Sequence, residues 1–307
     1  MISNNFSRLP YEACLIPNLP EETQHRVRNI GNYVVRPLYM ILAVIACVCN
    51  ALICITVART KSLQRPSLLM LCSLSVTDLI YALFSLYVGI KTALSEHMCF
   101  GTVNPEDRAM NVLCSLATLG MIAVISRDRY LAVIKPWWYR NHMTKSRAIK
   151  MLCIPWLVSV VLTIAHMVHF VFKFEGGYKQ LPRVVSLAYY CICFIIIIFS
   201  HLGMYFKKPP TVGIRDIQAV MKREKKAAAT IRLILLALLL TFLPALLWPI
   251  VLGLMGIENN GPYRPFIYFL FVADTVANPL LNAIRSLLGC SQFVEQQHYQ
   301  QQQQQQQ

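Results

Sequence analysis

Charge is scarce in this chain. Charged residues make up 14% of its 307 residues, where a soluble globular domain carries about 25%, and 56% are apolar. An ordinary soluble domain is thereby excluded. Metal-ligand spacing is missing too, because no Cys-x-x-Cys pair occurs among the 11 cysteines. Cys47, Cys49, Cys54, Cys72, Cys114, Cys153, Cys191 and Cys193 fall inside apolar runs, where cysteine serves as a small packing residue. No nucleophile–base pair stands out, which argues against an enzyme. There is no internal repeat and the core charges cluster at one level, which argues against a transporter or channel. Residues 1–33 are polar and contain proline, unlike a signal peptide, so the first apolar run is expected to direct insertion.

What the chain has instead is seven long apolar runs, roughly 34–58, 67–90, 109–133, 149–172, 184–206, 227–254 and 265–288. A stretch of about 20 such residues crosses a bilayer as a helix. The expected fold is an all-α membrane protein, a seven-transmembrane helix bundle over 34–288. An N-terminal segment, 1–33, precedes it and a tail, 289–307, follows on the other side. The tail ends in the glutamine tract Gln300 to Gln307, a low-complexity stretch with no assigned role.

The net charge of +15 raises the question of nucleic acid, but the distribution of charge rejects it. Lys and Arg gather after the first, third and fifth runs: Arg59, Lys61 and Arg65; Lys135, Arg140 and Lys145; Lys207, Lys208, Lys222, Arg223, Lys225 and Lys226. The opposite loops mix signs, as in Lys91, Glu96, Glu106, Asp107 and Arg108. The positive-inside bias then places the basic loops in the cytoplasm and the N-terminus outside. Asn5-Phe6-Ser7 is a glycosylation sequon on that outer side. Cys14 and Cys99 are the cysteines expected outside, where disulfides persist; whether they pair is open. Cys290, just past the seventh run, is either S-acylated or a plain interfacial thiol.

The third run ends in Arg127-Asp128-Arg129-Tyr130. Burying charge at a membrane face is costly. Arg127 can snorkel to the headgroups along its aliphatic stem. Asp128 beside Arg129 is different, since a carboxylate next to a guanidinium forms a pair that can be held or released.

Seven spans with this tripeptide on the third resemble rhodopsin-like G-protein-coupled receptors. The resemblance recurs along the chain: Asn50 on span one, Leu74 to Asp78 on span two, Pro136 after span three and Trp156 on span four. Phe194 and Tyr205 on span five, Thr241-Phe242-Leu243-Pro244 on span six and Asn278-Pro279 on span seven complete it. It implies a multi-pass plasma-membrane receptor with membrane-lipid contacts, a short amphipathic eighth helix inside, an extracellular ligand and a heterotrimeric G protein as partner. It also implies that Asp128, Arg129, Tyr130, Tyr205 and Glu224 form the coupling switch. Glu224 would pair with Arg129 at rest, or else belong to a local ion pair within Lys222–Lys226. Phe242 and Pro244 would be the pivot about which span six swings outward.

Departures from the family pattern are informative. Cys99 lies several residues before the position near Asn104 where the family has its outer cysteine, and 173–182 contains no cysteine. Ile197 stands where span five usually has proline, and Asn282 where Asn-Pro-x-x-Tyr ends in tyrosine. Melanocortin, lysophospholipid and cannabinoid receptors share the missing outer disulfide and span-five proline. Tyr139 to Thr144 is similar to the melanocortin group and Pro136 to Tyr139 to prostanoid receptors, so the subfamily is open. Asn282 also makes a non-signalling scavenger or heteromer-partner receptor the competing reading.

In the core, Asn50, Asp78, Thr118, Asp274 and Asn278 are expected to face the interior. Asp78 resembles the family's sodium site. Two close carboxylates in low dielectric do not both stay charged without a cation, so one is protonated or a sodium ion sits between Asp78 and Asp274; a plain hydrogen-bonded water network is the alternative. Asn111, Ser115, Tyr189, Trp248 and Tyr268, with Phe242, are expected to line the ligand pocket; Asp107, Arg108 and Arg264, further out, either meet charged ends of the ligand or pair with one another near the headgroups. Asn111 stands where amine receptors carry aspartate, and the lining is mostly apolar. The expected ligand is therefore a lipid mediator or a short peptide. Span seven has no lysine for retinal.

Overall fold

The computed structural model describes residues 21–61, 65–94, 105–172, 181–206 and 266–280. The sixth expected span, the eighth helix and both termini lie outside these residues, and so does the end of the seventh span. All the regular structure described is helical. Five helices are long and apolar enough to cross a membrane: His25–Arg59, Pro66–Leu94, Pro105–Ile134, Lys145–His169 and Val184–Phe206. They correspond to spans one to five, and Phe266–Leu280 is the described part of span seven.

Helix boundaries follow local chemistry more than hydropathy. Span one was expected to start at Val34, but helix begins at Glu21. Its first turns are polar and exposed, and Arg26 pairs with Glu22 one turn away at 2.6 Å. Hydropathy marks where a helix enters lipid, not where it starts. At Gly31–Val35 the helix widens into a π turn, with the Arg36 N–H reaching back to the Gly31 carbonyl. Pro37 explains it, since proline has no N–H for the carbonyl four residues earlier and its ring crowds that carbonyl. Pro66, Pro105 and Pro136 each open a helix, where the missing N–H costs nothing.

The third span is the hub. It packs against the second, fourth and fifth spans, while the first packs on the second and the fourth touches both the second and the fifth. About 61% of its most apolar stretch is buried, against 11% for the fourth. Leu116, Leu119, Met121, Ile122 and Ala123 join Met70 and Leu74 from span two, Leu152 from span four, and Tyr190, Cys193 and Ile197 from span five in one core. A second core at the outer end joins Tyr39, Tyr81, Cys114, Tyr268 and Val272. Leu52, Leu157, Val161, Ile195 and Phe199 face outward, which suits lipid as solvent. The eight cysteines within the described residues are free thiols.

Close helix approach needs small residues. A Cβ on Gly120 would strike the Tyr189 hydroxyl and lie 2.9 Å from the Pro155 Cβ, so three spans converge on that glycine. A Cβ on Gly89 would meet only the flexible Met40 side chain, at 2.8 Å. Gly120→Ala should therefore destabilise the bundle by about 1–3 kcal/mol, as overpacking does, and Gly89→Ala by less. Melting of the two variants in detergent checks this, and equal melting temperatures would contradict it.

Candidate functional site

The third span carries polar groups at three levels, and each level recruits a different set of neighbours. At its inner end Arg127 is exposed while Asp128 and Arg129 are buried. Arg129 Nη2 donates to Asp128 Oδ2 at 2.5 Å. Tyr139, on the short helix Pro136–His142, donates its hydroxyl to Asp128 Oδ1 at 2.8 Å. Both carboxylate oxygens are thus engaged, one by a guanidinium and one by a phenol, and the inner loop is tied to the charge pair. Sequence reasoning missed Tyr139. Its signal was Pro136, which starts a helix and folds the loop back beneath span three.

Tyr130 packs against Val133 and Met204, and its ring fills the space over Gly203 on span five. Tyr205 does not turn inward with it. It is 69% exposed and lies edge-on against Phe206, because its neighbour Met204 occupies the buried face at the end of span five. Its assignment to the inner switch is not met by this placement. Glu224, Phe242, Pro244, Trp248, Arg264 and Asn282 lie outside the described residues, as do Asn5, Cys14, Cys99 and Cys290.

At mid-membrane the structure brings together Asn50, Asp78, Thr118, Asp274 and Asn278, all buried. Asn50 donates to the Ala46 and Thr275 carbonyls, each at 3.0 Å, and so ties span one to span seven. Asn278 Nδ2 donates to Asp78 Oδ2 at 2.9 Å. Asp78 Oδ1 has no hydrogen-bond partner among the described residues. A cavity bordered by Asp78, Thr118, Asp274 and Thr275 leaves about 20 Å³ for the centre of a water-sized sphere. That holds a water or a small cation, not an organic ligand. The donor set, one orphaned carboxylate oxygen beside a second carboxylate, fits sodium in its chemistry. Trp156 reaches across from span four to Ser73 Oγ at 3.3 Å.

Towards the outside, Asn111 is already committed. Its Oδ1 accepts from the Tyr81 hydroxyl at 2.8 Å and its Nδ2 donates to the Asp107 carbonyl at 2.7 Å. Ser115 meets the Tyr190 hydroxyl at 2.8 Å. Tyr190 is therefore the span-five tyrosine whose hydroxyl bonds the polar side of span three, while Tyr189 packs over Gly120 where spans three, four and five meet. The one-residue difference is a 100° rotation on a helix, which an apolar run such as 184–206 does not specify. Asp107 is buried at 3% exposure despite its place in the first helical turn, and Tyr268 is buried near it. Arg108 is half-buried.

Apolar helices packed around a central span that carries a buried charge pair and a buried polar network describe a membrane-embedded helix bundle. The model of the seven-transmembrane receptors of the rhodopsin family matches residues 49–284. The chain belongs to that family, a seven-helix bundle whose members are receptors and not enzymes. Among curated proteins it is 29% identical over half its length to a D(1B) dopamine receptor of Xenopus laevis, of which the match covers 34%. It is 26% identical over 73% of its length to octopamine receptor beta-1R of Drosophila melanogaster, covering 56% of that protein. It is 34% identical over 38% of its length to 5-hydroxytryptamine receptor 7 of Xenopus laevis, covering 28%. The matches thus span about half or less of these relatives. All three are named for amines, not for lipids or peptides.

Asn278→Ala would leave Asp78 without its one described side-chain donor in a region water does not freely reach. An unsatisfied buried acceptor costs about 1–3 kcal/mol. Reduced thermal stability in detergent, with Asn278→Ser retaining more than Asn278→Ala, is the expected result.

Proposed function

We propose that this chain is a G-protein-coupled receptor of the plasma membrane, with its N-terminus outside, that binds a small cationic amine and activates heterotrimeric G proteins. The coupling half rests on one observation: a buried Asp128–Arg129 pair at the inner end of the hub helix, held by Tyr139 from the adjoining loop. Removing one partner of such a pair leaves a buried charge, so the pair is either closed or paid for by a new partner. A G-protein helix entering from the cytoplasm supplies that new environment for Arg129. Ligand acts by population shift, preferring the arrangement in which span six has swung out around Phe242 and Pro244. Glu224 is the proposed second partner of Arg129 at rest.

The ligand half rests on the relatives, whose names are those of amine receptors. The expectation of a lipid or short peptide leaned on the absence of a carboxylate at Asn111, and Asn111 is taken up by Tyr81 and the Asp107 backbone. A sodium ion held by Asp78 and Asp274 is proposed to favour the resting arrangement.

G-protein dissociation in cells, wild type against Arg129→Ala at matched surface expression, tests the reading. Arg129→Ala should abolish ligand-evoked and lower basal signalling; equal signals in both would favour the non-signalling receptor. Tyr139→Phe, which removes only the hydroxyl on Asp128, should raise basal signalling about two- to tenfold, as expected for the net loss of one hydrogen bond worth about 0.5–1.5 kcal/mol. Replacing sodium with N-methylglucamine should raise amine potency in wild type and leave Asp78→Asn unchanged. Equal sodium sensitivity in the two would overturn the ion site.

A further inference from the structure

The outer core holds a second, smaller cavity that the inner polar network does not use. Asp107 and Asn111 border it from span three, Tyr81 and Phe84 from span two, Tyr39 from span one and Tyr268 from span seven. Asp107 is the only carboxylate among the described residues that line it. It is 3% exposed, while its sequence neighbour Glu106 is exposed and pairs with Lys91 at 3.6 Å on the rim. Tyr39, Tyr81 and Tyr268 are themselves buried, at 2%, 5% and 8% exposure. A carboxylate set among aromatic rings offers an ammonium two attractions at once: a charge-assisted hydrogen bond and the negative faces of the rings. The Tyr81–Asn111 hydrogen bond separates this space from the inner cavity, since both residues border both.

We propose that Asp107 and its aromatic walls are the ammonium subsite of this receptor, one helical turn further out than Asn111 and between spans one, two, three and seven. The proposal rests on the amine reading above and says where the amine's charge is held. The cavity leaves about 10 Å³ for the centre of a water-sized sphere, which matches a primary ammonium better than a trimethylated one. Because Asn111 bonds both the Asp107 backbone and Tyr81, ligand seated on Asp107 bears on the hydrogen bond that roofs the inner cavity.

The test uses the full chain in cells with a G-protein dissociation readout and four primary amines: dopamine, octopamine, tyramine and 5-hydroxytryptamine. Asp107→Asn keeps size and hydrogen bonding but removes charge, so a merely structural carboxylate would survive it. The expected result is a potency loss of about 30-fold or more, as for removal of a buried charge partner. Moving the charge back one turn, with Asn111→Asp added to Asp107→Asn, should recover part of that loss and shows that the variant folds. If Asp107→Asn fails to reach the surface, Phe84→Leu carries the test, with a loss of about fivefold from removal of one ring face. N,N,N-trimethyltyramine should be about tenfold or more weaker than tyramine, given space for one water-sized group; equal potency would overturn the assignment to a primary ammonium. Wild-type potency in Asp107→Asn, or in Phe84→Leu where that variant stands in, would overturn the site while leaving the amine reading intact. No response of wild type to any of the four amines, with basal signalling still lost in Arg129→Ala, would overturn the amine reading and this site together.

Discussion

Lipid offers no hydrogen bonds, so every polar group placed inside the bilayer must find its partner within the protein. That constraint organises this bundle. Span three is the most buried of the described spans, and its neighbours bond to it, Tyr81 to Asn111, Tyr190 to Ser115 and Tyr139 to Asp128, while Trp156 of span four bonds Ser73 of span two. Other hydroxyls turn back on their own helix, as Ser85 does to the Tyr81 carbonyl, Thr92 to Val88 and Ser159 to Pro155. These bonds are individually modest in membranes, about 0.6 kcal/mol on average. Their value lies in fixing which face of each helix turns inward, which apolar packing against an apolar solvent does poorly.

The same constraint makes the two ends of span three electrostatically different. Arg129 and Asp128 satisfy one another at the inner end, so the charge is stored in a closed pair. Near the outer end Asp107 sits among tyrosines and a phenylalanine, whose ring faces attract a cation. Between them lies Leu116 to Ala123, apolar or small residues and Thr118, all of them buried. Packed interiors are bistable rather than continuously deformable. A helix with a closed pair at one end and a cation-receptive site at the other is suited to link the two.

Much of this architecture was legible in the chain. Long apolar runs mark spans because each must hide its backbone, and Asp78, Asn50 and Asn278 mark the interior because isolated polar residues cannot face lipid. Rotation about a helix axis was not legible where the run is apolar all round: nothing in Tyr189-Tyr190 says which ring faces span three. Helix starts were also hidden, because the polar turns from Glu21 onward are held by local pairs such as Arg26–Glu22 that hydropathy ignores. Tyr139 escaped notice for a third reason, since its role depends on a loop folding back through space.

Reading ligand chemistry from one position carries a specific physical risk. Residues four apart lie on the same face of a helix, separated by about 6 Å along the axis. A counter-ion moved from position 111 to position 107 therefore still faces the bundle, displaced outward by less than the length of a small aromatic amine. Asparagine at 111 says that charge is not held there, and nothing more. Its two hydrogen bonds, to Tyr81 and to the Asp107 carbonyl, make it a brace beneath the carboxylate. The neutral residue at the usual position and the buried charge one turn above it are then one arrangement, in which the deeper group supports the shallower one proposed to recognise the amine.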